Sequence, residues 1–515
     1  MCNGGDKKLS RPGDKLELNA ELAQYFTPRN VVLALWRIVQ KRYIAQANQK
    51  IRAIDLAAGA GVWLDVLIES GTVRPCDMYG IEIDERWADR SGMSYTGDGL
   101  LGIFDGVEDD TFDVVVGNPP FGRISKFCAT MGDPDSCALA DRFPLWQGLG
   151  ENRDSFPIEL LFVERALQVL RPGGWGVLVL PEGIIANARL QSAREHLLSN
   201  LTLKEIIELP LSVFRGKGLN AKTVAVIFKK GREGKKNFVC LYKPRVEVKQ
   251  PKVSAFLAQV ERRKGNLLTV CRVSQSSLSN KRWDIGYWRG ISLVRQLNRN
   301  FPTQSLGSFI EHLTYGPIVT GKRPNLVEEG TPIIRQGDIV ETGLDETGLM
   351  RVKSCGEFDP ERSRVQAGDL LFPRSGAGSL GRNRMAVYAG PGKANVGCFV
   401  DLVRLSGINP YYTWLFFKTA FGWGQISALI NGVGTPNINF GEIRSLRIVQ
   451  ADRAAQSAIE ARYLREVLPW HRLRDRSPQA RTRGESAFRV IVNDLQRYVS
   501  GELSERALVE MVGAD

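Results

Sequence analysis

The sequence predicts an α/β protein: a doubly wound, Rossmann-like sheet over residues 20–230, a mixed α+β, strand-rich domain over 283–450 and a helical tail over 451–515. Three observations predict it. Short apolar runs ending in glycine or proline alternate with segments of helical spacing, the pattern of strands joined by crossover helices. A glycine-rich turn follows the first strand, and the next strand ends in an acid about twenty residues later, the spacing of a nucleoside-binding βαβ unit. Beyond residue 283 this alternation gives way to short strands and Gly-rich turns.

Taken in order, residues 1–19 form a polar extension. Phe26-Thr27-Pro28 precede an apolar helix in AELAQYFTPRNVVLALWRIV (20–39), where Thr27 suits the cap and Pro28 the first turn. Ile51–Leu56 is a strand carrying Asp55. Ala57, Gly59 and Gly61 make the turn, and Val62–Glu69 has helical spacing. MYGIEID (78–84) is a strand ending in Glu82, Ile83 and Asp84, and TGDGL (96–100) sets Asp98 in a turn. The run Phe112–Val116 stops at Gly117 and Asn118-Pro119-Pro120-Phe121. A helix from Glu159 to Leu170, a strand over 171–181, a strand over 203–210 and two closing β elements within 211–230 complete the first domain. Residues 231–282 are rich in charge and read as a linker holding a strand (Phe238–Tyr242) and a short helix (Val253–Val260). Strand-and-turn segments follow at 315–325, 332–340, 368–388 and 395–405, then helices over 409–431. The tail is helical at 453–468 and 493–512, with 471–486 read as a flexible basic loop, and its helices fit a spacer or a homodimer contact.

Composition narrows the function classes. A length of 515 residues calls for two or three domains, and 43% hydrophobic residues permit packed cores. The net charge of +13 suits a polyanionic partner. Eight scattered cysteines without a CxxC pair, and only three histidines, argue against a metal site and for free thiols in a reducing cytoplasm. No signal peptide is visible at the start, and no apolar run reaches the ~18 residues of a membrane span. Too few residues precede the first domain to bury the core of a cleavage domain.

The sharpest chemistry lies in Asn118-Pro119-Pro120-Phe121. Each proline fixes its own φ and restricts the residue before it. Asn118 is therefore held extended at the carboxyl edge of the sheet, where ligands of open α/β sheets bind. Its amide oxygen and a neighbouring carbonyl can both accept hydrogen bonds from one amino group, and Phe121 offers a stacking face. Upstream, Asp55 precedes the Gly59–Gly61 turn, so the first loop suits a cationic or amino-bearing ligand better than a pyrophosphate. Glu82 is placed to accept from two ribose hydroxyls.

The string Asn118–Phe121 resembles the catalytic motif of amino-methyltransferases that use S-adenosylmethionine, above all the DNA N6-adenine enzymes; the same string occurs in RNA and protein-glutamine N-methyltransferases. The DLAAGAG turn with Glu82 is similar to class I methyltransferases. The order of segments over 20–230 looks like the gamma group of adenine methyltransferases. The resemblance implies cofactor contacts from Phe26, Thr27, Pro28, Asp55, Ala57, Gly59, Gly61, Glu82, Ile83, Asp98 and Asn118. It implies base contacts from Asn118, Pro119, Pro120 and Phe121. Phe214 either stacks on the target base or packs beneath the sheet. Residues 283–450, through GDLLFPRSG and Gly434–Asn439, resemble a target-recognition domain of type I restriction-modification specificity subunits. Basic residues on its loops (Lys322, Arg323, Arg335, Arg374, Arg382, Arg384) would meet double-stranded DNA. A separate restriction subunit is a further partner that this resemblance allows. Room for one such domain implies an asymmetric or half site.

Overall fold

The computed structural model describes residues 25–44, 51–91, 94–124, 142–147, 156–214, 222–234, 237–249, 252–321, 324–390, 392–430, 436–472 and 478–513. Two compact units are present, Met1–Ile285 and Gly286–Asp515.

The first unit is built on nine strands: β1 (Ala53–Asp55), β2 (Met78–Glu82), β3 (Ser94–Thr96), β4 (Phe112–Gly117), β5 (Leu170–Pro181), β6 (Leu201–Glu208), β7 (Thr223–Lys230), β8 (Phe238–Pro244) and β9 (Leu268–Ser274). Their spatial order is β3-β2-β1-β4-β5-β7-β6-β8-β9. The first five in that order run parallel, and β7 lies antiparallel between β5 and β6. Consecutive valines Val114, Val115 and Val116 are all buried, as a strand covered on both faces demands. Helices α1 (Arg29–Val39), α2 (Val62–Glu69), α3 (Glu85–Ser91), α4 (Ile158–Val169), α5 (Gln191–Asn200) and α6 (Val253–Arg262) accompany the sheet.

The expected linker is corrected here. β8 pairs with β6 and β9 with β8. Val253, Phe256, Leu257 and Val260 of α6 share a core with Val31, Leu35 and Val39 of α1. Residues 231–282 therefore belong to the first unit.

In the second unit, strands Ile310–Tyr315, Val400–Leu405, Leu370–Pro373 and Ala386–Val387 form an antiparallel sheet in that spatial order. The Gly-Asp-Leu-Leu string is structural. Asp369 is buried, and its two carboxylate oxygens accept from Arg404 across the sheet at 2.8 Å each, a bidentate pair that pins the register. Asn439 caps a short helix, Phe440–Ser445, in a reciprocal capping box with Glu442; Gly434 and Thr435 lie outside the described residues. The expected separate tail is also corrected. Ile459, Tyr463, Phe488, Ile491, Leu495 and Leu508 join the core that contains Leu306, Phe372 and Trp414. Much of their apolar surface packs within the unit, while Leu464, Val490 and Met511 stay exposed. Residues 478–486, expected as loop, begin the helix Pro478–Val499. Gly484, Phe488, Ile491 and Leu495 repeat at helical spacing on its buried face while the arginines project outward.

Candidate active site at the carboxyl edge of the sheet

Strand order reverses between β1 and β4, which pair in parallel with Asp55 opposite Val116. The crevice beyond the carboxyl ends at such a switch point is the ligand site of open α/β sheets. A small pocket opens there, lined by Asp55, Ala57, Gly117, Pro119 and Phe162. The two strand ends approach so closely that a Cβ on Gly117 would lie 2.6 Å from Asp55 Oδ1.

Asp55 is 1% exposed. Its Oδ1 accepts the Ala57 N–H at 3.0 Å, and among the described residues it has no ion-pair partner. Burial pushes its carboxyl up to about 7, with the Glu82 charge adding to the rise. The folded chain thus holds a proton on Asp55 over a range in which the unfolded chain has lost it. This contribution to stability is complete below about pH 4, the ordinary carboxylate range, and is lost as pH rises through about 7.

Glu82 ends β2, 7% exposed. It accepts from Gly59 N–H at 2.7 Å and Asp84 N–H at 3.0 Å. Burial raises its carboxyl despite those bonds. A carboxylate accepts about four hydrogen bonds, so acceptor capacity remains beyond the Gly59, Asp84 and Ile83 backbone groups. Gly59 (φ 52°) and Gly61 (φ 77°) adopt left-handed backbone before α2. The Phe26 ring lies directly on Gly59, where a Cβ would meet it at 2.5 Å, and stands edge-on to Trp87 at 4.7 Å. Thr27 does not cap α1: the N-cap is Pro28, without a side-chain bond. The Thr27 hydroxyl is instead buried and, among the described residues, unpartnered. Ile83 is half-buried beside Glu82. Asp98 spends one oxygen on the Leu100 N–H at 2.7 Å. The turn after it packs on the end of β1, since a Cβ on Gly99 would fall 2.0 Å from the Leu56 carbonyl.

Asn118 follows β4 directly. Its Nδ2 donates to the Tyr25 carbonyl, which ties the Asn118-Pro119-Pro120 turn to the Phe26–Pro28 segment. Its Oδ1 is buried with no partner among the described residues. Pro119 is buried, and Pro120 and Phe121 are half-buried. Glu159, in the first turn of α4, also belongs to this site: it is 3% exposed and accepts the Gly122 N–H at 3.0 Å. Thr27 Oγ1, Asn118 Oδ1 and Glu159 Oε2 are thus three unpartnered buried polar atoms in the segments that build one site. Such atoms are rare in native interiors and mark places where a ligand or water completes the bonding.

Two of the expected contacts change character. Phe214 is 1% exposed and packs with Val213, Ile207 and Phe256 in the core of the first unit, so the packing alternative holds and its ring offers no face to a base. In the second unit Arg374 is turned inward rather than free on its loop: its guanidinium lies 4.2 Å from the Tyr315 ring centre, and its main chain is bonded to Phe399 and Ile438. Arg335 is held bidentately by Asp338. Arg382 is exposed and Arg384 half-buried. Lys322 and Arg323 lie outside the described residues. Among the described residues no group of three or more His, Cys, Asp or Glu side chains could hold a metal ion, and no helix is long and apolar enough to cross a membrane.

Residues 78–214 match the model of the Eco57I restriction-modification methylase family. That segment runs from β2 through the Asn118 turn to Phe214. A Methanocaldococcus jannaschii protein named for a type II restriction enzyme and methyltransferase is 25% identical over 112 residues, which is 21% of this chain and 8% of that relative. The type IIL restriction-modification enzyme MmeI, solved in complex with DNA, superposes with a TM-score of 0.50 at 12% identity over 93% of this chain and 76% of its own. A class I S-adenosylmethionine-dependent methyltransferase structure from Listeria monocytogenes aligns with 48% of this chain and 73% of its own, at 20% identity and a TM-score of 0.37. The first unit is a doubly wound α/β sheet, and its residues 78–214 are similar to the restriction-modification methylase family.

Proposed function

We propose that this chain is a site-specific DNA methyltransferase that moves a methyl group from S-adenosylmethionine to N6 of adenine, within or derived from a restriction-modification system. The observation that supports it best is the unpartnered, buried Asn118 Oδ1 at the carboxyl edge of β4, beside the Asp55 pocket.

The residues present fit the cofactor. Asp55, buried without a cation, suits a positively charged ligand, and the acceptor capacity left on Glu82 suits a ribose diol. Gly59 and Gly61 let the backbone approach the ligand, and Phe26, Thr27 and Ile83 border the same turn. When bound, S-adenosylmethionine supplies an electrophilic methyl group on a sulfonium. The target adenine must leave the duplex to reach it. Asn118 Oδ1 and the Pro119 carbonyl then accept the two N6 hydrogens and orient the nitrogen lone pair, while Phe121 stacks on the ring. Acceptors aligned in advance in a water-poor site cost no reorganisation during the reaction. The amine attacks first and loses its proton afterwards, so no strong base is required. The second unit reads double-stranded DNA through its loops, with Arg382 as an exposed contact and Lys322 and Arg323, on an earlier loop of the sequence, as further contacts. This reading sets the enzyme in the cytoplasm with its DNA, and a separate restriction subunit as a possible further partner.

Because a cationic cofactor favours the ionised form of Asp55, binding releases a proton below about pH 7. Calorimetry should show affinity rising from pH 6 to pH 8, with that rise absent in Asp55→Asn. The function itself is tested by offering tritium-labelled S-adenosylmethionine with duplex DNA, RNA or protein and digesting the labelled product to nucleosides. Label in N6-methyladenine from DNA is the expected result. Label confined to RNA or to protein glutamine would replace this reading.

A further inference from the structure

We propose that Glu159 is a positioning residue that fixes the orientation of Phe121 by holding the Phe121–Gly122 peptide, an inference that rests on the methyl-transfer reading of the Asn118 turn. The Gly122 N–H belongs to the same rigid peptide plane as the Phe121 carbonyl. Its donation to Glu159 Oε1 at 3.0 Å sets the tilt of that plane, and with it the backbone dihedral that aims the Phe121 ring. The strip beyond the turn is clamped as well. Ile158 N–H donates to the Gly122 carbonyl at 3.0 Å, Ile124 N–H donates to the Phe156 carbonyl at 2.9 Å, and Arg123 pairs with Pro157. Those bonds hold Gly122–Ile124 to the entry of α4, and Glu159 extends the clamp by one peptide to the aromatic residue.

The side chain is a costly choice for a mere spacer. It is 3% exposed, its Oε2 is buried and unpartnered, and among the described residues no cation forms an ion pair with it. Burial pushes its carboxyl up to about 7. An apolar residue at this position of α4 would avoid the desolvation cost. What an apolar residue cannot supply is the acceptor for Gly122.

The test uses the full chain as wild type, Glu159→Gln, Glu159→Asp and Glu159→Ala. Hydrogen exchange is read at the Gly122 amide, and kcat and KM for DNA are measured with calorimetric cofactor affinity. Gln keeps an acceptor at the same reach, so Gly122 protection and most of kcat should survive. Asp keeps the charge but is one methylene short, and Ala keeps neither. Both should lose Gly122 protection and about 10²-fold in kcat, the scale of a ~1 Å misplacement of a reacting partner, with KM and cofactor affinity within a few-fold of wild type. Where Ala proves too unstable to assay, Asp carries the same expectation. Native Gly122 protection or native kcat in Glu159→Asp would overturn the proposal, as would a Gln variant as impaired as Asp. The exchange measurement needs no methyl transfer. A wild-type chain that left DNA unmethylated would therefore sink the DNA reading, while the clamp would still stand or fall on Gly122.

Discussion

Asn118→Ala is expected to lower methyl transfer about 10²–10³-fold, the typical loss when one preorganised polar group is removed from a reacting centre. The side chain does two jobs. Its Oδ1 is the buried unpartnered acceptor, and its Nδ2 donates to the Tyr25 carbonyl. Cofactor contacts attributed to Asp55 and Glu82 lie on other strands, so S-adenosylmethionine affinity should stay within a few-fold of wild type. Loosening of the Tyr25 anchor accounts for that residual change. Single-turnover transfer with calorimetry separates the two effects. Turnover near wild type would remove Asn118 from the mechanism.

A chain cut after residue 285 is expected to keep cofactor binding and lose nearly all site choice. The cut falls at the boundary between the units. A cut near Lys230 would instead strip β8 from β6 and α6 from the α1 core, and should cost the folded sheet itself. With the second unit gone, basic loops no longer neutralise phosphates, and the slope of log affinity for DNA against log salt should flatten. Filter binding across a salt series and sequencing of the methylated product read both effects. Full site-specific methylation by the 1–285 fragment would show that the reader lies elsewhere.

Local features were legible in the sequence, and long-range ones were not. The β1 turn, Glu82 and the Asn118 turn are short motifs whose backbone demands are written in glycine and proline, and each stands at the carboxyl edge of its strand. β8 and the helix from Val253 were visible as local elements, but the charged stretches around them hid their place in the first unit, and β9 was missed. The two strands lie at the margin of the sheet, where half-exposed positions tolerate polar residues, and Phe238, 45% exposed, is covered by Arg272 at 4.2 Å. Glu159 meets Gly122 across 37 residues, and no spacing rule links an acid at a helix start to a peptide that distant. Its one signal was an acid in an otherwise apolar helix start, Ile158-Glu159-Leu160-Leu161. A loop aromatic such as Phe214 fits base stacking and core packing equally until tertiary contacts decide. The C-terminal helices read as a tail because arginines dominate 471–486, while the stripe from Gly484 to Leu495 that buries them is only four residues wide.

The measurement that bears most directly on the account is single-molecule sequencing of duplex DNA treated in vitro with the wild-type chain and with Asn118→Ala. The account predicts N6-methyladenine at one short motif in the wild-type reaction and none with the variant. A single reading unit lacks the two-fold symmetry that imposes a palindrome, so the motif should be asymmetric and each binding event should mark one adenine. Absence of methylated adenine, or equal methylation by Asn118→Ala, would contradict the central claim, and a short palindrome modified on both strands would contradict the single-reader part of it.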